Sequence, residues 1–260
     1  MQVIPSTVRQ RLAQDLPVVM FCSNPTADPR WVEMAGMAGY HGLWIDHEHQ
    51  TFTDPEMWTL CLACRAAGME PMIRVRKASA GSYFRALELG AYGIMLPHCN
   101  TPEEAAACVR EMKFPPEGNR SLDGIEPLAR YYWVPSDEYT PRANQETWLV
   151  VQIEEPEAVE RLDEIAAVPG VDVLFVGPGD LGMRCAARGM GENAVEEAVE
   201  RVAAVAKAHG MHWGIPIGDL EGAQRRMAQG ARFLTWGSVF WHVYVGLKQA
   251  EEDIKALLGG

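Results

Sequence analysis

The chain has 260 residues, 48% of them hydrophobic and 22% charged, the proportions of a globular protein with a substantial core. A formal net charge of −12 without a concentrated basic patch excludes nucleic acid and anionic membrane surfaces as partners. No apolar run approaches the roughly 18–20 residues of a membrane span, and the N-terminus lacks a signal pattern, so a cytoplasmic, single-domain chain over 1–260 is expected.

Short β-branched or apolar runs alternate with amphipathic helical stretches. A short leading helix is predicted near 6–14. Strands follow at 18–23, 42–47, 70–75, 92–98, 147–154, 172–177, 212–218 and 232–237. Helices are predicted near 30–38, 54–67, 79–89, 102–113, 156–166, 191–209, 219–229 and 239–258. Thr101-Pro102-Glu103-Glu104 supplies a capping hydroxyl, a proline at the first helical position and acids at the positive dipole end. Asp54-Pro55-Glu56 and Glu155-Pro156-Glu157 repeat the plan with an acidic lead residue. Gly68, Gly90, Gly170, Gly210 and Gly230 mark helix stops.

Eight β–α units with strands apolar on both faces predict an α/β fold, a parallel (β/α)8 TIM barrel. The alternative is a doubly wound open sheet. It would place a glycine-rich phosphate loop after strand one, where this chain reads Ser23-Asn24-Pro25-Thr26. The connection from Pro115 to Glu146 is long and aromatic, and is expected to be an ordered lid or part of a subunit contact. The six cysteines read as reduced, mostly buried thiols. Cys61 and Cys64 form a C-x-x-C inside a helical pattern with no second pair for zinc.

Barrels of this kind place chemistry at the C-terminal ends of the strands. Those ends carry Asp46-His47-Glu48-His49, Arg74 and Arg76, Pro97-His98-Cys99, Gln152-Ile153-Glu154-Glu155, Gly177-Pro178-Gly179-Asp180 and Trp236-Gly237-Ser238. Carboxylates hold hard cations such as Mg²⁺ or Mn²⁺ and leave positions open to water and substrate. An arginine stabilises an oxyanion, and a histidine transfers protons near neutral pH. Together they suit a 2-oxo acid and its enolate. His47 and His49 at i, i+2 also suit zinc as in amidohydrolase barrels, but the further histidines and aspartate of that pattern are missing.

Six ordered blocks carry a more specific signal. They are Gly42-Leu43-Trp44-Ile45-Asp46-His47-Glu48-His49, Pro71-Met72-Ile73-Arg74-Val75, Ala91-Tyr92-Gly93-Ile94-Met95-Leu96-Pro97, Phe114-Pro115-Pro116-Glu117-Gly118-Asn119-Arg120, Val151-Gln152-Ile153-Glu154, and Phe175-Val176-Gly177-Pro178-Gly179-Asp180-Leu181. The chain resembles the HpcH/HpaI group of class II pyruvate aldolases, related to citrate lyase β-type enzymes, along nearly its whole length. The resemblance implies reversible retro-aldol cleavage of a 4-hydroxy-2-oxo acid to pyruvate and an aldehyde. It implies Glu154 and Asp180 as ligands of a divalent metal (Mg²⁺, Mn²⁺ or Co²⁺). His49 would be the base with Asp46 as its acidic partner, and Arg74 would steady the enolate oxygen. Gln152 would lie near the substrate oxygens, with the Gly179 and Asp180 amides at the pyruvate carboxylate. The alternatives are a related metal-enolate lyase or decarboxylase acting on another substrate, and a non-catalytic 2-oxo-acid-binding barrel. Departures fall at Gly237-Ser238-Val239, which lacks the family's acid, at His47 in place of a glycine, and at Arg120-Ser121-Leu122-Asp123-Gly124. The last helix, 239–258, is apolar around much of its early circumference. The resemblance implies that it packs on a neighbouring subunit of a homo-oligomer, dimers building a hexamer; the alternative is a closing helix buried on its own barrel.

Overall fold

The computed structural model describes residues 1–23, 25–77 and 83–258. Eight parallel strands pair in sequence order: β1 Val18–Cys22, β2 Gly42–Asp46, β3 Glu70–Arg74, β4 Gly93–Leu96, β5 Trp148–Ile153, β6 Val173–Val176, β7 His212–Ile217 and β8 Phe233–Ser238. β8 pairs back onto β1, closing the barrel and excluding the open sheet.

Twelve helices are assigned among the described residues. They are α1 Thr7–Ala13, α2 Pro29–Met37, α3 Asp54–Ala66, α4 Tyr83–Glu88, α5 Pro102–Met112, α6 Ser136–Glu146, α7 Pro156–Glu160, α8 Leu162–Ala166, α9 Pro178–Ala187, α10 Ala194–Ala208, α11 Leu220–Ala228 and α12 Val239–Leu258. The start of the helix expected at 79–89 lies outside the described residues, as does Asn24 in the turn after β1. All five expected stop glycines have positive φ, from 65° to 102°, which a Cβ would make costly. Thr101 caps α5 as expected, whereas α3 is capped by Thr53, whose hydroxyl and backbone N–H pair with Glu56, rather than by Asp54.

The period-2 alternation of strand side chains divides the core in two. On β5, Leu149, Val151 and Ile153 join the layer between barrel and helices, while Trp148 and Val150 fill the barrel interior. The same parity turns Gln152 inward. The interior is an aromatic column. Trp148 meets Phe233 edge-on at 5.7 Å, Phe233 meets Phe175 at 6.1 Å, and Phe175 meets Trp44 at 5.9 Å. The Arg74 guanidinium rests 4.7 Å above the Trp44 ring, so the column ends in a fixed cation at the mouth.

The opposite end is sealed by α1. Glu70, buried at the start of β3, accepts hydrogen bonds from the Ser6 and Thr7 hydroxyls, from the Thr7 and Val8 amides and from Trp148 Nε1. A carboxylate at the positive end of a helix thus ties the N-terminus to the barrel floor. Glu70→Ala would leave several buried donors without an acceptor. Urea unfolding is expected to show a loss of about 3 kcal/mol.

The long connection is ordered, and its α6 half is not a lid. Asn144 clamps the Phe114 backbone at 2.7 and 3.0 Å, Lys113 Nζ donates to the Asn144 and Thr147 carbonyls, and Glu146 accepts from the Ser6 amide on the barrel floor. α12 differs from a closing helix as well. Val239 is its one buried residue, while Phe240, Tyr244, Leu247, Ile254 and Leu258 stand 54–77% exposed along one stripe. No helix among the described residues is long and apolar enough to cross a membrane.

Candidate active site

Four of the seven expected site residues share inward parity at the strand ends and form one chain of contacts. Arg74 Nε and Nη2 donate to the two carboxylate oxygens of Asp46 at 3.0 and 2.7 Å. Its remaining nitrogen, Nη1, lies 3.4 Å from Gln152 Oε1 and 3.2 Å from Glu48 Oε2. Gln152 Nε2 in turn donates to Glu154 Oε2 at 3.3 Å. Asp46, Gln152 and Glu154 are each 2% exposed and Arg74 is 7% exposed, so these charges act in a medium that screens them weakly. Burial opposes the charge on Arg74, but the bidentate Asp46 pair, Glu48 and Glu154 outweigh it and raise the guanidinium above its ordinary value. Burial pushes the Glu154 carboxyl up, against the lowering effect of the His98 amide and ring.

Glu154 is the centre of a second group that no single strand announces. Its Oε1 accepts the His98 amide at 2.7 Å, and His98 Nδ1 lies 3.3 Å away. The same ring reaches Glu48 Oε1 at 3.3 Å and Glu155 Oε1 at 3.1 Å, held by a backbone with φ of 49°. On the far side Glu154 packs against Gly177, where a Cβ would come within 2.6 Å of Oε2. Gly177 is the N-cap of α9, which places Gly179 and Asp180 in the first turn, ahead of the first intrahelical bond from the Leu181 amide. Those two amides are helix-end donors suited to an anion, and a side chain at Gly179 would meet open space. Asp180 is about one-third exposed, and its Oδ1 is 3.8 Å from Arg184, which also approaches Glu155 at 3.8 Å.

His49 sits apart from the buried chain, on the loop after β2 with 56% of its side chain exposed. Its expected partner was Asp46. Both Asp46 oxygens serve Arg74, and Asp46 Oδ1 also takes the Glu48 and His49 amides. The carboxylate beside the His49 ring is Glu48, 3.6 Å from Nε2. Glu48, His98 and Glu155 were visible as strand-end residues, but their convergence depends on barrel closure rather than on spacing along the chain.

Glu154 and Asp180 offer hard oxygen donors. Among the described residues no cluster of three or more His, Cys, Asp or Glu is set for a metal. Carboxylate oxygens of this kind suit Mg²⁺-like ions, which keep several positions for water and substrate. One feature fits such a charge: burial disfavours the carboxyl of Glu154 as an anion.

A cavity of about 290 Å³ adjoins this group at the ends of β1, β2, β7 and β8, with Asp46 and Arg74 in its wall. A larger one, about 550 Å³, lies between α3, α4 and the end of β3. It is mostly apolar, and its Arg85 and Asp54 pair with each other at 2.9 Å, away from the carboxylates. The smaller cavity is the one that shares residues with the candidate chemistry.

Comparison with known proteins agrees with this geometry. The chain is 34% identical over 236 residues to the 2-dehydro-3,6-dideoxy-6-sulfogluconate aldolase of Pseudomonas putida, covering 90% of each. It is 31% identical over 239 residues to the 5-keto-4-deoxy-D-glucarate aldolase of Salmonella gallinarum, covering 92% of this chain and 90% of that one. A crystal structure of an HpcH/HpaI aldolase from Desulfitobacterium hafniense superposes with a TM-score of 0.89 at 27% identity over 97% of both chains. The family description HpcH/HpaI aldolase/citrate lyase matches residues 18–244, from the first strand into the last helix. Closed barrel, strand-end carboxylates and sequence together make this chain an enzyme of the HpcH/HpaI aldolase/citrate lyase family.

Proposed function

We propose that the enzyme catalyses reversible retro-aldol cleavage of a 4-hydroxy-2-oxo acid to pyruvate and an aldehyde, with Mg²⁺, Mn²⁺ or Co²⁺ held by Glu154 and Asp180. The observation that carries this reading is Arg74: two of its nitrogens are locked on Asp46 and the third is directed to the Gln152–Glu154 side. The cation, when bound, would polarise the 2-oxo group and so favour negative charge on its oxygen. The Arg74 Nη1 side supplies fixed donors for that oxygen, in a site that needs no reorganisation as charge develops. The Gly179 and Asp180 amides bind the pyruvate carboxylate.

His49 takes the proton from the 4-hydroxyl, the bond between carbons 3 and 4 breaks, and the aldehyde leaves. The electron pair of that bond becomes the pyruvate enolate, which is protonated at carbon 3. Exposure of His49 next to Glu48 suits a group that exchanges protons with solvent. The names of the relatives, aldolases acting on keto-deoxy sugar acids, support the reaction class.

Exchange of pyruvate methyl protons with D₂O tests the half-reaction without an aldehyde. EDTA is expected to abolish exchange and Mn²⁺, Mg²⁺ or Co²⁺ to restore it. Full exchange in metal-free protein would remove the metal from the proposal, and no exchange under any metal would remove the enolate. We also propose a homo-oligomer, a hexamer built from dimers, with the exposed stripe of α12 in a subunit contact.

A further inference from the structure

We infer that the 290 Å³ cavity beside Arg74 receives the aldehyde, and that it selects aldehydes whose chain carries no charge. This rests on the retro-aldol reading above. Addition forms a bond between the pyruvate methyl carbon and the aldehyde carbonyl carbon. One methyl proton passes to the base, and the aldehyde oxygen gains a proton. The acceptor must therefore sit in space continuous with the enolate. Pyruvate held between Gly179, Glu154 and Arg74 occupies the β5–β6 side of the mouth. The cavity lies on the other side of Arg74, at the ends of β1, β2, β7 and β8.

Its lining sets the selectivity. Trp44, Ile217 and Trp241 are apolar walls, and Thr235 and Ser238 contribute hydroxyls. Among the described lining residues the ionised side chains are Asp46 and Arg74, and these are bonded to each other through two nitrogens of the arginine. A carboxylate or sulfonate on the aldehyde chain would give up water here and find no free cation, with Asp46 in the wall. An alkyl or hydroxylated chain loses little and buries apolar surface. The volume, that of about ten water molecules, accommodates a short chain. The curated relatives act on substrates named as a sulfogluconate and a glucarate, so the same barrel would here serve a different acceptor.

Butanal and 4-oxobutanoate form a matched pair, one neutral and one anionic. With pyruvate and Mn²⁺, addition to butanal is expected to have a kcat/KM at least about tenfold higher, chiefly through KM. Ser238→Arg places a cation in the cavity and is expected to raise the 4-oxobutanoate to butanal ratio by about tenfold or more. Ser238 accepts the Trp241 amide at the start of α12, so Pro216→Arg, at an exposed position of β7 in the same lining, provides a second variant if the first does not fold. A charged wall acting only through stability would change both aldehydes alike and leave the ratio where it was. Equal or better use of 4-oxobutanoate by the wild type, or an unmoved ratio in the folded variants, overturns the inference. D₂O exchange in the wild type separates the two failures. Exchange without preference sinks the cavity assignment alone, whereas no exchange with any metal sinks both.

Discussion

Arg74→Lys is expected to slow exchange of pyruvate methyl protons by about 10²–10³-fold, the cost of losing a preorganised oxyanion donor. The guanidinium does three things from one plane: it grips both oxygens of Asp46, lies on the Trp44 ring and directs Nη1 towards Gln152 and Glu48. An ammonium is a single point with no fork. It can satisfy Asp46 or face the enolate, but not both at one position. The loss should fall on kcat, because the charge it stabilises exists only as the enolate forms. Metal affinity, read by calorimetry with Mn²⁺, should change little, since Arg74 is not among the proposed ligands. Near-normal exchange in a folded Arg74→Lys protein would place oxyanion stabilisation elsewhere in the mouth.

The barrel was legible because its strands are buried on both faces and its helices stop at glycines. β2 was expected at 42–47 and runs Gly42–Asp46; β7 was expected at 212–218 and runs His212–Ile217. Two helices were missed for local reasons. α6 carries Pro141 in its interior, where the ring removes a backbone donor, and so reads as loop. α9 opens on Gly177-Pro178-Gly179-Asp180, a turn signature that here is an N-cap followed by proline at the first position. The segment 156–166, expected as one helix, breaks at Arg161 into α7 and α8. Parity explains the site. Trp44 and Asp46 on β2, Met72 and Arg74 on β3, and Val150 and Gln152 on β5 are alternate residues pointing to one axis. What periodicity does not carry is which loops meet above that axis. His98 gathers Glu48, Glu154 and Glu155 from strands far apart in sequence, and Asp46 turns to Arg74 rather than to His49.

Leu247→Glu is expected to convert an assembly into smaller species, and light scattering at micromolar concentration reads the mass directly. α12 has 20 residues, about 30 Å of helix, yet Val239 is its one buried residue. Leu247 is 65% exposed in line with Phe240, Tyr244, Ile254 and Leu258, at the spacing of one helical face. Such a stripe on a chain of net charge −12 is stable in water when another surface covers it. A carboxylate placed at its centre would be buried without a partner, which costs several kcal/mol and weakens the contact by about 100-fold or more. The substitution spares the barrel itself, because this helix does not build the barrel core; circular dichroism should be unchanged. A wild-type mass of one chain, 28.8 kDa, would overturn the assembly proposal. A multiple of that mass left intact in Leu247→Glu would clear α12 and move the contact to the exposed Tyr132 and Trp133 of the long connection.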